Sequence, residues 1–220
     1  MYVPAPNDKD FELPPAGTHK AICYRVIDLG TQETTYQGTP KKQHKILVSW
    51  ELPDEKMSDD RPFTISTRYT WSMSEKGNLR ADLESWRGVP FTEKDFGPGG
   101  FDIKSIIGKG CLLTIVQETK NGKTYANIKS ISKLMKGMDV PVATNEQIYL
   151  WLHPERWSAD VFHKLSQSVQ GSIMKSPEYQ AIANGQDDAV VTDADAPQGR
   201  RSSMKDQLAD DDIPFGPEYR

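Results

Sequence analysis

Three groups of cations and aromatic rings are the parts of this chain equipped for chemistry. Tyr36, Lys41, Lys42 and Lys45 form the first, Arg68, Tyr69 and Trp71 the second, and Lys120, Lys123, Tyr125 and Lys129 the third. Cations interleaved with rings suit a flexible polyanion carrying flat bases. The cations follow the phosphates, and each ring offers a stacking surface worth about 1–3 kcal/mol per base. Core packing is the competing role for every aromatic. Tyr36 and Tyr125 stand in polar surroundings and read as stacking residues. Tyr69 and Trp71 share strand parity with Phe63 and Ile65, so core and stacking roles both stay open for them.

No catalytic constellation accompanies these groups. His19, His44, His153 and His163 have no carboxylate or cysteine at ligand spacing, so solvated or core histidines are expected. Neither a Gly-x-x-x-x-Gly-Lys-Ser/Thr loop nor a Gly-x-Ser-x-Gly elbow occurs. Asp210, Asp211 and Asp212 offer three carboxylates on a flexible segment, without the preorganised oxygen cage that a hard cation needs. No enzymatic activity, cofactor or metal is expected.

The elements that must position the candidate residues read as strands. Cys111 to Val116 and Tyr125 to Ser130 alternate with period two on either side of Asn121-Gly122, a pair suited to the positive φ angles of a type I′ hairpin. His19 to Leu29 is a strand with apolar residues on both parities. That predicts a long strand that bends and changes face at a bulge, ending at Gly30. Thr31 to Lys42 is polar and reads as a flexible loop. A second strand places Ile46, Val48, Trp50 and Leu52 on one face and Lys45, Leu47, Ser49 and Glu51 on the other. A third alternates Phe63, Ile65, Thr67, Tyr69 and Trp71, with Trp50 and Phe63 assigned to the core. Ser74 is positioned to cap a helix whose Leu79, Leu83 and Trp86 share one stripe, with Gly88 after its end. The order strand, strand, strand, helix, strand, strand is that of the five-stranded Greek-key barrel called the OB-fold. The expected class is therefore mainly β. In that barrel the face of strands two and three and the loops after strands one and four bind the ligand.

Past Gly137 the character changes. Ile148 to Leu152 is a compact apolar connection, and Ser158 is positioned to cap a helix with Val161, Phe162, Leu165, Val169 and Ile173 along one stripe. Ser176-Pro177-Glu178 starts another, with proline at its first helical position. One apolar stripe cannot stand alone, so this region is expected to pack on the barrel or on a second copy. Beyond Gln186 the chain reads as a disordered tail. Three segments follow: a barrel over 1–136, a helical extension over 137–185 and an acidic tail over 186–220.

The tail also explains the charge. Of the 220 residues' formal −4, the tail carries nine acidic against four basic groups, or −5, leaving +1 on the rest. A weakly basic body is compatible with a cationic face, depending on how its charges are distributed. Only Cys23 and Cys111 occur, both inside strand patterns, and both read as buried free thiols. No apolar run reaches membrane-spanning length and no signal-peptide pattern opens the chain, so a cytoplasmic protein is expected, in a host cytoplasm if viral.

Asp210-Asp211-Asp212-Ile213-Pro214-Phe215 strongly resembles the acidic tip of bacterial single-stranded DNA-binding proteins. With the OB-like strand order upstream, the whole chain resembles a bacteriophage-type single-stranded DNA-binding protein, and Ser176-Pro177-Glu178-Tyr179 looks like that group too. The resemblance implies a sequence-nonspecific binder of single-stranded DNA that coats unwound DNA in replication and recombination. Its tail (Asp210, Asp211, Asp212, Ile213, Pro214 and Phe215) would recruit replication and repair proteins. In the bacterial tip the Phe is terminal, whereas five residues follow Phe215 here. The alternative is a protein-interaction module whose tail mimics that tip and sequesters host repair enzymes. Oligomeric state is open.

Overall fold

The computed structural model describes residues 12–36 and 38–185; the tail from 186 to 220, with its Asp210 to Phe215 segment, lies outside the described residues, as does the side chain of Tyr36. Strand β1 (Gly17–Tyr36) organises the rest because it has three different partners. Gly17 to Ile22 pair antiparallel with β4 (Gly110–Lys120), and Ile22 to Tyr36 pair antiparallel with β2 (Thr39–Lys56). Arg25 to Ile27 pair parallel with a short β6 (Ile148–Leu150). Bulges between Cys23 and Arg25 and between Asp28 and Gly30 bend the strand. Apolar residues on both parities follow from the bend: Val26 faces one apolar cluster, while Ile27 and Leu29 face another.

The strand does not stop at Gly30. That glycine, at φ 68°, is a bulge residue, and the ladder runs on from Thr31–His44 to Tyr36–Thr39. The expected flexible loop over Thr31 to Lys42 is therefore a hairpin arm turning near Gly38. β-branched Thr31, Thr34 and Thr35 suit a strand. What hid them was the absence of a buried face beyond the core, and with it the alternation that marks a strand.

The sheet order is β3-β2-β1-β4-β5, with β3 (Pro62–Thr70) and β5 (Lys123–Ser132) at its ends. The β4–β5 turn has Asn121 at φ 52° and Gly122 at φ 75°, the two positive values a type I′ turn requires. Helix α1 (Asn78–Arg87) buries Leu79, Leu83 and Trp86 along the expected stripe and ends at Gly88, φ 76°. It begins later than Ser74 suggests. Gly77 is the residue before the helix, and the Ser74 carbonyl accepts its N–H at 2.8 Å. Trp86 packs 5.9 Å from Trp50, and its indole donates to the Gly110 carbonyl at 2.8 Å, fixing α1 on the sheet.

The other face of β1 and β2 is also covered. Ile27, Leu29 and Leu47 pack against Leu150, Leu152, Phe162, Leu165, Val169 and Ile173. The helical extension thus sits on the sheet of its own chain. Ser158 caps α2 (Ala159–His163), but the single expected helix divides: α3 (Gln167–Met174) starts afresh after an extended Ser166. The Gln170 side chain donates to the Leu165 carbonyl at 2.7 Å, satisfying one acceptor at that break. Ser176 caps α4 (Pro177–Ala183) with Pro177 at its start. Glu51, on the β2 face opposite Ile46, Val48 and Trp50, is fully buried. Its carboxylate accepts the Thr144 and Asn145 N–H groups at 2.8 Å each, tying the segment before β6 to β2. Cys23 and Cys111 are buried free thiols whose burial pushes their pKa values up. Among the described residues, no helix is long and apolar enough to cross a membrane.

Candidate nucleic-acid interface

Lys45 of the first group meets the second group where β2 pairs with the end of β3. Register sets Lys45 opposite Thr70 and Leu47 opposite Arg68, so Lys45 and Arg68 share a face. Lys41 lies two alternations along the same strand. Burial first, and then the Lys41 charge, lower the Lys45 pKa from its ordinary value. Crowded ammonium groups of this kind are relieved by an anion. Lys45 donates to the Thr70 hydroxyl at 2.8 Å, and Arg68 is exposed while donating to Ser172 of α3 at 3.2 Å. Lys42 is exposed, 3.8 Å from Glu33, a surface pair of little energetic weight.

Tyr69 and Trp71 take opposite roles. Tyr69 is 4% exposed and donates to Asp82 at 2.8 Å, so its assignment to a binding surface is corrected. Its ring belongs to the core that α1 covers. Trp71 lies one residue past the end of β3. Its N–H still donates to the His44 carbonyl at 2.8 Å, but Ser72 then turns back on Thr70 and the indole is left 37% exposed. It meets the His44 ring edge-on at 4.9 Å.

His44 is the hub beneath Trp71. Its Nε2 lies 2.7 Å from the Asp28 carboxylate and its Nδ1 3.5 Å from that of Glu178. Asp28 also accepts the N–H groups of Gly30 and Leu152, and Glu178 accepts the Thr31 backbone N–H at 2.8 Å and the Thr31 hydroxyl O–H at 2.5 Å. Burial opposes a charged imidazole, yet the bonds to Asp28 and Glu178 outweigh it and raise the His44 pKa to about 9. Burial likewise opposes the Glu178 carboxylate, and its bonds from His44 and Thr31 bring it down to about 2. A side chain at position 30 has no room here, since a Cβ would lie 2.5 Å from Ser176 and 2.7 Å from Glu178. The Ser176-Pro177-Glu178 segment is thus a clasp holding the extension against the β1–β2 arm.

The third group occupies the β4–β5 hairpin. Lys120 and Lys123 flank its turn, and Tyr125, opposite Glu118, is 48% exposed. Lys120 lies 3.5 Å from Glu118. Lys129 falls at a bulge opposite Thr114 and Ile115. The shift places Ile131 in the core and leaves Lys129 exposed. Tyr36 ends β1 at the tip of the other arm, with its side chain outside the described residues.

Sequence reasoning missed a further cluster. After β6, Trp151 and His153 place their rings 5.1 Å apart, and the Arg156 guanidinium lies 5.2 Å from the Trp151 ring centre. Its only signal was the concentration of aromatic and cationic residues in a stretch too short to show a period. Among the described residues, no group of three His, Cys, Asp or Glu side chains is placed to hold a metal. Comparison of the chain with protein-family models and with curated proteins returned no match.

Proposed function

We propose that this chain is a sequence-nonspecific single-stranded DNA-binding protein built on a five-stranded OB barrel. It coats unwound DNA in replication and recombination, and its acidic tail recruits replication and repair proteins. The strand order β3-β2-β1-β4-β5, with a bulged β1 shared between β2 and β4 and α1 between β3 and β4, supports the barrel. The observation that carries the binding role is the exposed indole of Trp71 one residue past the Lys45–Thr70 pair, with Lys41 and Arg68 on the same strands. Rings beside converging cations are what non-specific single-strand binding demands.

The test is a titration of fluorescent oligo-dT at several salt concentrations. Binding should weaken with a log–log slope of about −0.7 for each phosphate neutralised. Replacing Lys41, Lys45 and Arg68 with Gln should make that slope shallower by about 2. Duplex of equal length should bind far more weakly, because its bases are already stacked. Binding that is absent, or flat with salt, overturns this reading. One observation favours the alternative of a tip mimic that binds no DNA: the extension covers the outer face of β1 and β2, where an OB barrel ordinarily receives part of its ligand. Absent binding to oligo-dT together with capture of host repair enzymes would establish that alternative.

A further inference from the structure

The Trp151 cluster is built in a way that core packing does not require. Leu152 is buried at 7% exposure, and it is flanked by two half-buried rings. A hydrogen-bonded turn holds the rings together. His153 N–H donates to the Trp151 carbonyl at 2.9 Å, and the Arg156 and Trp157 N–H groups donate to the His153 carbonyl at 2.9 and 2.8 Å. Arg156 itself is exposed, and its guanidinium lies over the Trp151 ring, whose plane is tilted 38° from that of His153. A guanidinium plane stacks bases on its outer side while its N–H groups meet phosphate oxygens. The cluster is also linked to Trp71 through a chain of contacts. Leu152 N–H donates to one oxygen of Asp28 at 3.2 Å, the other oxygen of Asp28 lies 2.7 Å from His44, and His44 abuts Trp71.

On these grounds we propose a second stacking station, formed by Trp151, His153 and Arg156, for bases of the same DNA strand that passes Trp71. The inference rests on the single-stranded DNA reading above. A strand crossing the end of the sheet would meet Trp71 first and the Arg156 cluster a few nucleotides later, with buried Asp28 and part-buried His44 between them. The occupant is single-stranded DNA because the cluster offers what that polymer presents, flat rings for bases and a cation for phosphate.

Tryptophan fluorescence of the full chain separates the stations. Trp50 and Trp86, at 1% and 0% exposure, stay constant, and Trp157, packed against Phe162 and Tyr179, is common to every variant. Stacked thymines should quench wild type through Trp71 and Trp151. Trp71→Phe should keep part of the quench, Trp151→Phe a different part, and the double variant should lose most of it. His153→Ala with Arg156→Ala should weaken binding of a 20-nucleotide oligo-dT by about tenfold, at the low end of what one or two stacked bases supply. It should weaken a 5-nucleotide strand much less. If wild type binds and quenches but Trp151→Phe quenches identically, and the double alanine variant binds long strands as wild type does, the second station is refuted while the DNA-binding reading stands. If wild type does not bind oligo-dT at all, both are refuted.

Discussion

The clasp between His44 and Glu178 predicts a specific loss of stability on the alkaline side. Folded His44 holds its proton up to about pH 9, whereas an ordinary histidine releases it near 6.5. Between those values the native state carries a proton that the unfolded chain has lost, so stability falls by about 1.4 kcal/mol per pH unit. The contribution is complete below pH 6.5 and lost as pH rises through 9, about 3 kcal/mol in all. For a chain of this size each kcal/mol moves the melting midpoint by roughly 2–4 °C, so the midpoint should drop by about 6–12 °C between pH 6 and pH 10. Thermal unfolding of the full chain, followed by near-ultraviolet circular dichroism, measures this directly. His44→Gln supplies the control. It should melt lower at pH 6 and lack this alkaline arm, so the difference between the two proteins isolates His44 from other groups that titrate there. Equal pH profiles for wild type and His44→Gln would refute the clasp. The acid side has the opposite sign. Glu178, brought down to about 2, contributes above its ordinary 4.5 and is lost as pH falls toward 2, and Glu178→Gln should flatten that arm. The two arms report one interacting pair and do not add.

Trp50→Ala should cost roughly 3–5 kcal/mol as a core truncation, read from chemical denaturation, because the indole is 1% exposed and packs on Trp86. Tyr69→Phe leaves Asp82 without its donor and should cost about 1 kcal/mol of stability while leaving oligo-dT affinity unchanged; weaker binding would put Tyr69 back on the surface. Removing residues 186–220 should raise affinity for single strands, most at low salt, because a tethered −5 segment competes for the cationic surface. Phe215→Ala should leave DNA affinity alone but cost a partner enzyme about 2 kcal/mol if the ring is buried in its pocket, as calorimetry with that enzyme would report.

What could be read from the sequence was whatever buried one face with a regular period. The α1 stripe of Leu79, Leu83 and Trp86 and the Asn121-Gly122 turn are local patterns that tertiary packing only had to accept. The arm from Thr31 to Lys42 was missed because it lacks a buried face, so its pairing left no trace in hydropathy. β6 is three residues long, too short for any period. Glu51 lies on the β2 face opposite Ile46, Val48 and Trp50, yet it is buried by a segment more than ninety residues away. Parity could not separate the two rings at the end of β3. Tyr69 and Trp71 alternate together in the sequence, but the strand stops between them at Thr70, and only the ring still inside the ladder is held in the core.

The extension's position has a consequence for how a strand would lie on the protein. On the OB-barrel reading proposed above, a barrel without such a covering would offer the broad outer face of its second and third strands. Here Leu47 of that face is sealed under the helices, and Arg68 at its margin is already in contact with α3. A bound strand is therefore expected at the edge of the covered region, along the Lys41–Lys45–Trp71 margin, and not across its centre. That margin is also where the Asp28–His44–Glu178 clasp joins the extension to the β1–β2 arm. Loosening the clasp would expose more of the outer face while freeing the arm that carries Lys41 and Lys42. Glu178→Gln should accordingly change oligo-dT affinity as well as stability. Unchanged affinity in a destabilised Glu178→Gln protein would mean that the extension and the binding margin act independently.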